Sequence, residues 1–239
     1  MIFTTIYPNG NFDVQNNAML SWSSKFDVYS VNTSSEIEKI KDLYPYIKFI
    51  ETDDTYDYNG KIMIKLNGIL KAIKKISPKY FCIINSDIFL DKKVSKSSLF
   101  NEKYLYDGVI LATRFEIDKD KPLYPFVNGY DMFIFNIKYI DILFNDNYVI
   151  GLPWWDFWVP LITHKALLKI YHIKNQVIYH KTHETNYDHD SWVKFGGHLY
   201  QDIVIDLMKM AGEPDLSVEQ FCSITKKFIE SKHINIKIK

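Results

Sequence analysis

The chain has 239 residues, enough to bury a sizeable core in one large α/β domain. With 47% hydrophobic and 16% aromatic residues it is no disordered chain, and 29 basic residues against 29 acidic ones offer no polyanion-binding surface, so nucleic acid is a poor partner. The start Met-Ile-Phe-Thr-Thr-Ile is not a signal peptide, and no apolar run approaches the ~20 residues of a membrane span, so a soluble, cytoplasmic protein without a transmembrane segment is expected.

Residues 2–7 read as a first strand, closed by the turn signal Pro8-Asn9-Gly10. Val14, Ala18, Met19 and Trp22 then fall at helical spacing. A second strand spans 26–31, and Ser34 serves as the expected N-cap of a helix that stops before Pro45. A third strand at 47–50 leads into the acidic loop Glu51-Thr52-Asp53-Asp54. Residues 61–76 read as one amphipathic helix, with Ile64, Ile69, Ala72, Ile73 and Ile76 on or near one face. Residues 80–90 read as a fourth strand running into an Asn85-Ser86-Asp87 turn; Cys82 lies in its apolar part as a core residue, and the chain's two cysteines suit a reducing compartment.

Such alternation of strand and helix predicts a parallel sheet covered on both faces, with ligands beyond the carboxyl ends of the strands. Later residues read as strands at 108–114, 131–136 and 176–179, and as helices at 139–144, 153–168, 199–210 and 218–231. No repeat or linker divides the chain.

Four groups of residues carry chemistry. Asn85-Ser86-Asp87 puts an amide and a carboxylate two residues apart at the end of a buried strand, where an unpaired carboxylate is costly. It is either a plain turn or a holder for a hard cation on a nucleoside diphosphate. The segment 180–190 holds His180, His183 and His189 with three acids; imidazole and carboxylate together suit Mn²⁺ or Zn²⁺, the alternative being a polar surface loop. In Trp154-Trp155-Asp156-Phe157-Trp158, Asp156 is the only charge in an aromatic cluster. Burial would tune it towards general-base work, and Trp155 offers a flat face for a pyranose ring; a core tryptophan cluster is the other reading. In Gly129-Tyr130-Asp131 the glycine allows close approach to a ligand, and Asp131 faces either sugar hydroxyls or a turn. Arg114 is the only arginine, and a lone arginine among lysines suits a bidentate anion site or an ordinary ion pair.

Taken together these residues resemble a GT-A-type nucleotide-sugar glycosyltransferase over roughly residues 1–195, with 196–239 as a helical extension packed on it. The set Asn-Ser-Asp-Ile, Gly-x-Asp-x-Phe-x-Phe, Trp-Asp-x-Trp and His-x-x-His is similar to GT-A-like proteins of bacteria and large DNA viruses. The resemblance implies a GT-A (Rossmann-like) mixed α/β sheet flanked by helices. It implies Asp87 and a late histidine, His180 or His183, as ligands of Mn²⁺ or Mg²⁺, Asn85 in place of the first acid of an Asp-x-Asp turn, and Asp156 as catalytic base, with Asp131 a further catalytic candidate. Thr5, Tyr7, Asn32 and Asp53 would contact base and ribose, Lys65 the phosphates, and Arg114 the sugar or diphosphate. The implied partners are a nucleotide-sugar donor, most simply a UDP-sugar, and a glycan or small-molecule acceptor; the terminal helices are candidates for a homodimer contact.

Three other functions compete. A nucleotidyltransferase wants a glycine-rich basic loop after the first strand, which Pro8-Asn9-Gly10-Asn11 is not. A degenerate carbohydrate- or nucleotide-binding relative is motivated by Asn85. A zinc hydrolase would use the histidines of 180–190.

Overall fold

The computed structural model describes residues 1–118, 123–126, 129–182, 188–201 and 218–238. The chain opens with β1 (Ile2–Thr4), α1 (Phe12–Ser23), β2 (Val28–Asn32), α2 (Ser34–Ile40) and β3 (Lys48–Glu51). A hairpin of β4 (Thr55–Tyr58) and β5 (Lys61–Ile64) precedes α3 (Leu66–Ile76), β6 (Tyr80–Ile84) and β7 (Ile88–Leu90). Two one-turn helices, α4 (Lys96–Leu99) and α5 (Glu102–Leu105), lead to β8 (Gly108–Ala112), β9 (Phe115–Ile117), β10 (Tyr124–Pro125) and β11 (Met132–Asn136). A 3₁₀ helix at Ile137–Leu143, then α6 (Trp155–Lys165), β12 (Lys169–Ile173), β13 (Ile178–Lys181), α7 (His189–Leu199), α8 (Val218–Ser231) and β14 (His233–Ile236) follow.

Eight strands form the main sheet in the order β14-β12-β8-β11-β6-β1-β2-β3. Among them β11 alone runs against its neighbours, pairing antiparallel with both β6 and β8. Both faces are covered, so the strands read as unbroken apolar runs rather than alternating ones. Alternate residues still go to opposite faces. Phe81 and Ile83 join one core layer with α3, α6 and α8, while Cys82 and Ile84 join the other with Ala18, Met19 and Trp22 of α1.

The structure corrects the sequence reading at five places. Residues 61–76 are not one helix: 61–64 form the second strand of the hairpin, turned at Asn59 and Gly60, both at positive φ. Asn-Gly is the expected pair for such a turn. The cap of α2 is Thr33, not Ser34; Thr33 and Glu36 make a reciprocal capping box. Residues 80–90 are two strands in different sheets, split at the Asn-Ser-Asp turn. Residues 189–199 form α7, so a helix begins earlier than expected. The part expected as a helical extension contributes β14, which pairs with β12 in the main sheet.

A second sheet, β10-β9-β13-β7, lies at the rim and builds the site. In its register His180 stands opposite Ile88 on one side and Glu116 on the other.

Candidate functional site

Asp87 follows the carboxyl end of β6 and immediately precedes β7, so the β7–β13 pairing delivers His180 beside it. His180 Nε2 lies 3.4 Å from Asp87 Oδ2, and its Nδ1 lies 2.8 Å from Glu116 Oε2. The ring is buried, as is Glu116, while Asp87 keeps an accessible face. Glu116 passes the contact on. Its Oε1 accepts from Arg114 Nε at 2.7 Å, and Arg114 Nη1 donates to Asp131 Oδ1 at 2.5 Å. The guanidinium is stacked 3.7 Å from the Phe126 ring centre. A continuous ionic series therefore runs Asp87–His180–Glu116–Arg114–Asp131.

Its electrostatics follow from those partners. Burial alone would lower the His180 pKa, but hydrogen bonds to Asp87 and Glu116 outweigh it and push it up to about 9. Burial raises Glu116, but His180 and Arg114 hold its carboxyl below its ordinary value. For Asp131, burial wins over Arg114 and the pKa rises.

Asp156 sits in the first turn of α6, whose N-cap residue Trp154 adopts the left-handed conformation with its indole N–H donated to the Trp192 carbonyl. Asp156 is half-buried, and its carboxyl receives one long bond from the Tyr130 amide at 3.4 Å. Burial, with Asp131 nearby, lifts its pKa to about 7. Gly129 has φ +152°, and a Cβ there would lie 2.4 Å from Asp156 Oδ2. The glycine is what lets the segment ahead of β11 approach the carboxylate.

The structure thus draws together Asp87, His180, Arg114 and Asp131, with Asp156 joined through the Gly129–Tyr130 backbone. Others it places differently. Thr5 and Asn32 are buried and bonded inward: the Asn32 amide donates to the Ile6 carbonyl and to Glu36, and accepts from Ser30. Polar groups at strand ends packed beneath a helix must find internal partners, and these found them away from any ligand. Trp155 is 3% exposed and meets Phe133 edge-on, so it belongs to the core rather than to a sugar platform. Tyr7 is partly exposed, with Lys61 over its ring at 4.7 Å. Lys65 is the N-cap of α3 and partly exposed, Asp53 is exposed beyond β3, and Asn85 is half-buried in the turn. His183 lies outside the described residues. Glu116 escaped the sequence reading. Its signal was the Arg-Phe-Glu spacing, which puts 114 and 116 on one face of a strand.

The donor set can be tested against a divalent cation. A separation of 3.4 Å between Asp87 Oδ2 and His180 Nε2 suits adjacent ligands at about 2.1–2.2 Å from one ion. Glu116 on the far nitrogen of His180 stands where an outer carboxylate would orient the imidazole if a metal were bound. Among the described residues no three His, Cys, Asp or Glu side chains are grouped to hold a metal by themselves. Among the described residues, two protein donors would fit an ion whose remaining ligands are phosphate oxygens and water, once His180 has given up the proton it shares with Asp87. No described helix is long and apolar enough to cross a membrane.

No family model matches the chain, and no curated protein sequence matches it. Solved structures do match in shape. S. aureus TarS 1-349 in complex with UDP-GlcNAc aligns with a TM-score of 0.54 at 14% identity, covering 95% of this chain and 70% of that one. The same protein in complex with UDP gives 0.55 at 13% identity, covering 96% and 71%. The likeness is one of fold, and the mixed eight-stranded sheet flanked by helices is a GT-A-like glycosyltransferase fold.

Proposed function

We propose that the protein is a glycosyltransferase that takes a nucleotide sugar, a UDP-sugar with Mn²⁺ or Mg²⁺, and passes the sugar to a glycan or small-molecule acceptor. The observation that carries this reading is the meeting of Asp87 and His180 beyond the carboxyl end of β6, where α/β sheets bind ligands. The binding of UDP and UDP-GlcNAc by S. aureus TarS supports a uridine donor.

In this reading Asp87 and His180 hold the cation, with Glu116 fixing the imidazole. A bound divalent ion supplies charge neutralisation for the departing diphosphate. Arg114 sits next to that point; Asp131, 2% exposed and bonded to both the backbone amide and the guanidinium of Arg114, holds the arginine in place and does not reach sugar hydroxyls, contrary to the expectation from the sequence. Asp156 takes the proton of the acceptor hydroxyl; a carboxylate with a pKa near 7 is a better base than one at its ordinary value. A second reading, a non-catalytic relative that binds nucleotide or carbohydrate, is favoured by one observation: His180, Glu116, Arg114 and Asp131 already satisfy one another.

Calorimetry with UDP and Mn²⁺ tests the proposal. The wild type binds, and Asp87→Ala weakens binding by about 100-fold. No binding of UDP, GDP, CDP or dTDP defeats it, and binding without turnover of any UDP-sugar selects the second reading.

A further inference from the structure

We propose that Gln15 and Tyr7 form a positioning strut that sets the Asp87 turn against the loop leading to Asp156, a role that rests on the transferase reading above. Gln15 is the polar member of the buried face of α1, beside Ala18, Met19 and Trp22, and it is 4% exposed. Its amide is used from both ends. Oε1 accepts from the Tyr7 backbone N–H at 2.8 Å and from the Ser86 hydroxyl at 3.1 Å. Nε2 donates to the Tyr7 carbonyl at 3.0 Å. Ser86 is itself buried and is the middle residue of Asn85-Ser86-Asp87.

From Tyr7 the series continues. Its hydroxyl donates to the Ile150 carbonyl at 2.7 Å. Ile150 precedes Gly151, and the following residues lead directly into α6 and Asp156. Hydrogen bonds thus connect the neighbour of Asp87, through Gln15 and Tyr7, to the approach to Asp156. Two glycines make the connection possible. A Cβ at Gly10 would lie 2.4 Å from Gln15 Nε2, and one at Gly151, where φ is +84°, would lie 2.5 Å from the Tyr7 hydroxyl oxygen.

Packing alone does not ask for glutamine here. A leucine or methionine fills the same volume without the desolvation cost of a buried amide. What the amide adds is direction: it fixes two loops relative to one another from a rigid helix. Displacement of a metal-binding turn by as little as ~1 Å is enough to cost orders of magnitude in rate.

The test pairs two titrations with hydrogen exchange in Gln15→Met and in the milder Ser86→Ala. UDP is titrated with and without Mn²⁺. Amide exchange is followed at Ile88, bonded to the Asn85 carbonyl, and at Leu152, bonded to the Val149 carbonyl. In Gln15→Met, binding of UDP with Mn²⁺ falls about tenfold and binding without Mn²⁺ is unchanged. Ile88 and Leu152 exchange faster, while amides of β8 keep their protection. Ser86→Ala shows the Mn²⁺-specific loss with faster exchange at Ile88 only, and it decides the matter if Gln15→Met does not fold. Equal losses with and without Mn²⁺ reduce Gln15 to a structural residue and overturn the proposal, as do wild-type affinities in both variants. If the wild type binds no nucleoside diphosphate, the transferase reading fails on its own; the exchange rates then judge the strut, and unchanged rates at Ile88 overturn it.

Discussion

The rim around His180 and the pocket around Asp156 both hold carboxyl groups partly out of bulk water, and they do so by opposite means. At the rim each acid has a cationic neighbour: Asp87 and Glu116 face His180, and Glu116 and Asp131 face Arg114. Around Asp156 lie the Tyr130 amide, Gly129 and the Asp131 carboxyl, and its charge is discouraged by burial and by that second acid. The first arrangement holds Glu116 below its ordinary pKa and ties the acids in place, although burial still raises Asp131. The second leaves an acid that exchanges a proton near neutrality. A site needing both a fixed anion for a cation and a base for a hydroxyl requires that difference.

The sharpest way to break the contrast is to neutralise the Asp156 carboxyl, the base of the proposed transferase. Asp156→Asn keeps the shape and loses the proton acceptor, so transfer falls by about 10²–10⁴-fold while UDP binding in the calorimeter is unchanged. In the wild type the rate rises with pH and levels above about 7, because a base must first lose its proton. A profile that falls over that range assigns Asp156 another task.

Removing the shared partner at the rim comes next. Glu116→Ala leaves Arg114 with Asp131 alone and His180 with Asp87 alone, and denaturant unfolding shows a loss of about 2–3 kcal/mol. A loss below about 1 kcal/mol, the scale of exposed pairs, would mean that water reaches the network.

Gly129→Ala presses on the pocket and spares the rim. The new methyl meets Asp156 Oδ2, at a cost of roughly 1–3 kcal/mol, and the pH midpoint of the rate moves while Mn²⁺-dependent UDP affinity does not.

The smallest effect is one of linkage. The Asp156 pKa is higher in the folded protein than in the unfolded chain, so between its ordinary carboxylate value and about 7 the folded state carries the extra proton. Stability contributed by that group is present at low pH and is lost as pH rises through about 7. Asp156→Asn therefore melts above the wild type at about pH 8, by on the order of 1 kcal/mol, and the advantage disappears in acid. No gain at alkaline pH would show the carboxyl to be well solvated.

The sequence made the parallel half of the fold legible because each strand and helix there has its own period and punctuation. It also drew attention to Asp87 and His180, which the structure brings within 3.4 Å, and to Asp156, since charges and imidazoles beside apolar runs are costly and demand an explanation. What it hid depends on pairing. Residues 61–64 carry apolar spacing that fits a helix, and only their partners at 55–58 make them a strand. Glu116 gains its meaning from His180, sixty-four residues away, through the β9–β13 register. Asn32 looked like a ligand contact because a strand-end amide has the same chemistry whether it faces a nucleotide or the Ile6 carbonyl.

β14 carries a consequence for handling the protein. It shields the flank of β12, whose amides and carbonyls would otherwise be bare. A chain clipped by protease ahead of His233 would present an unpaired apolar ribbon, an open template for strand addition by other molecules. Self-association after limited carboxyl-terminal digestion, visible as light scattering, is the expected sign.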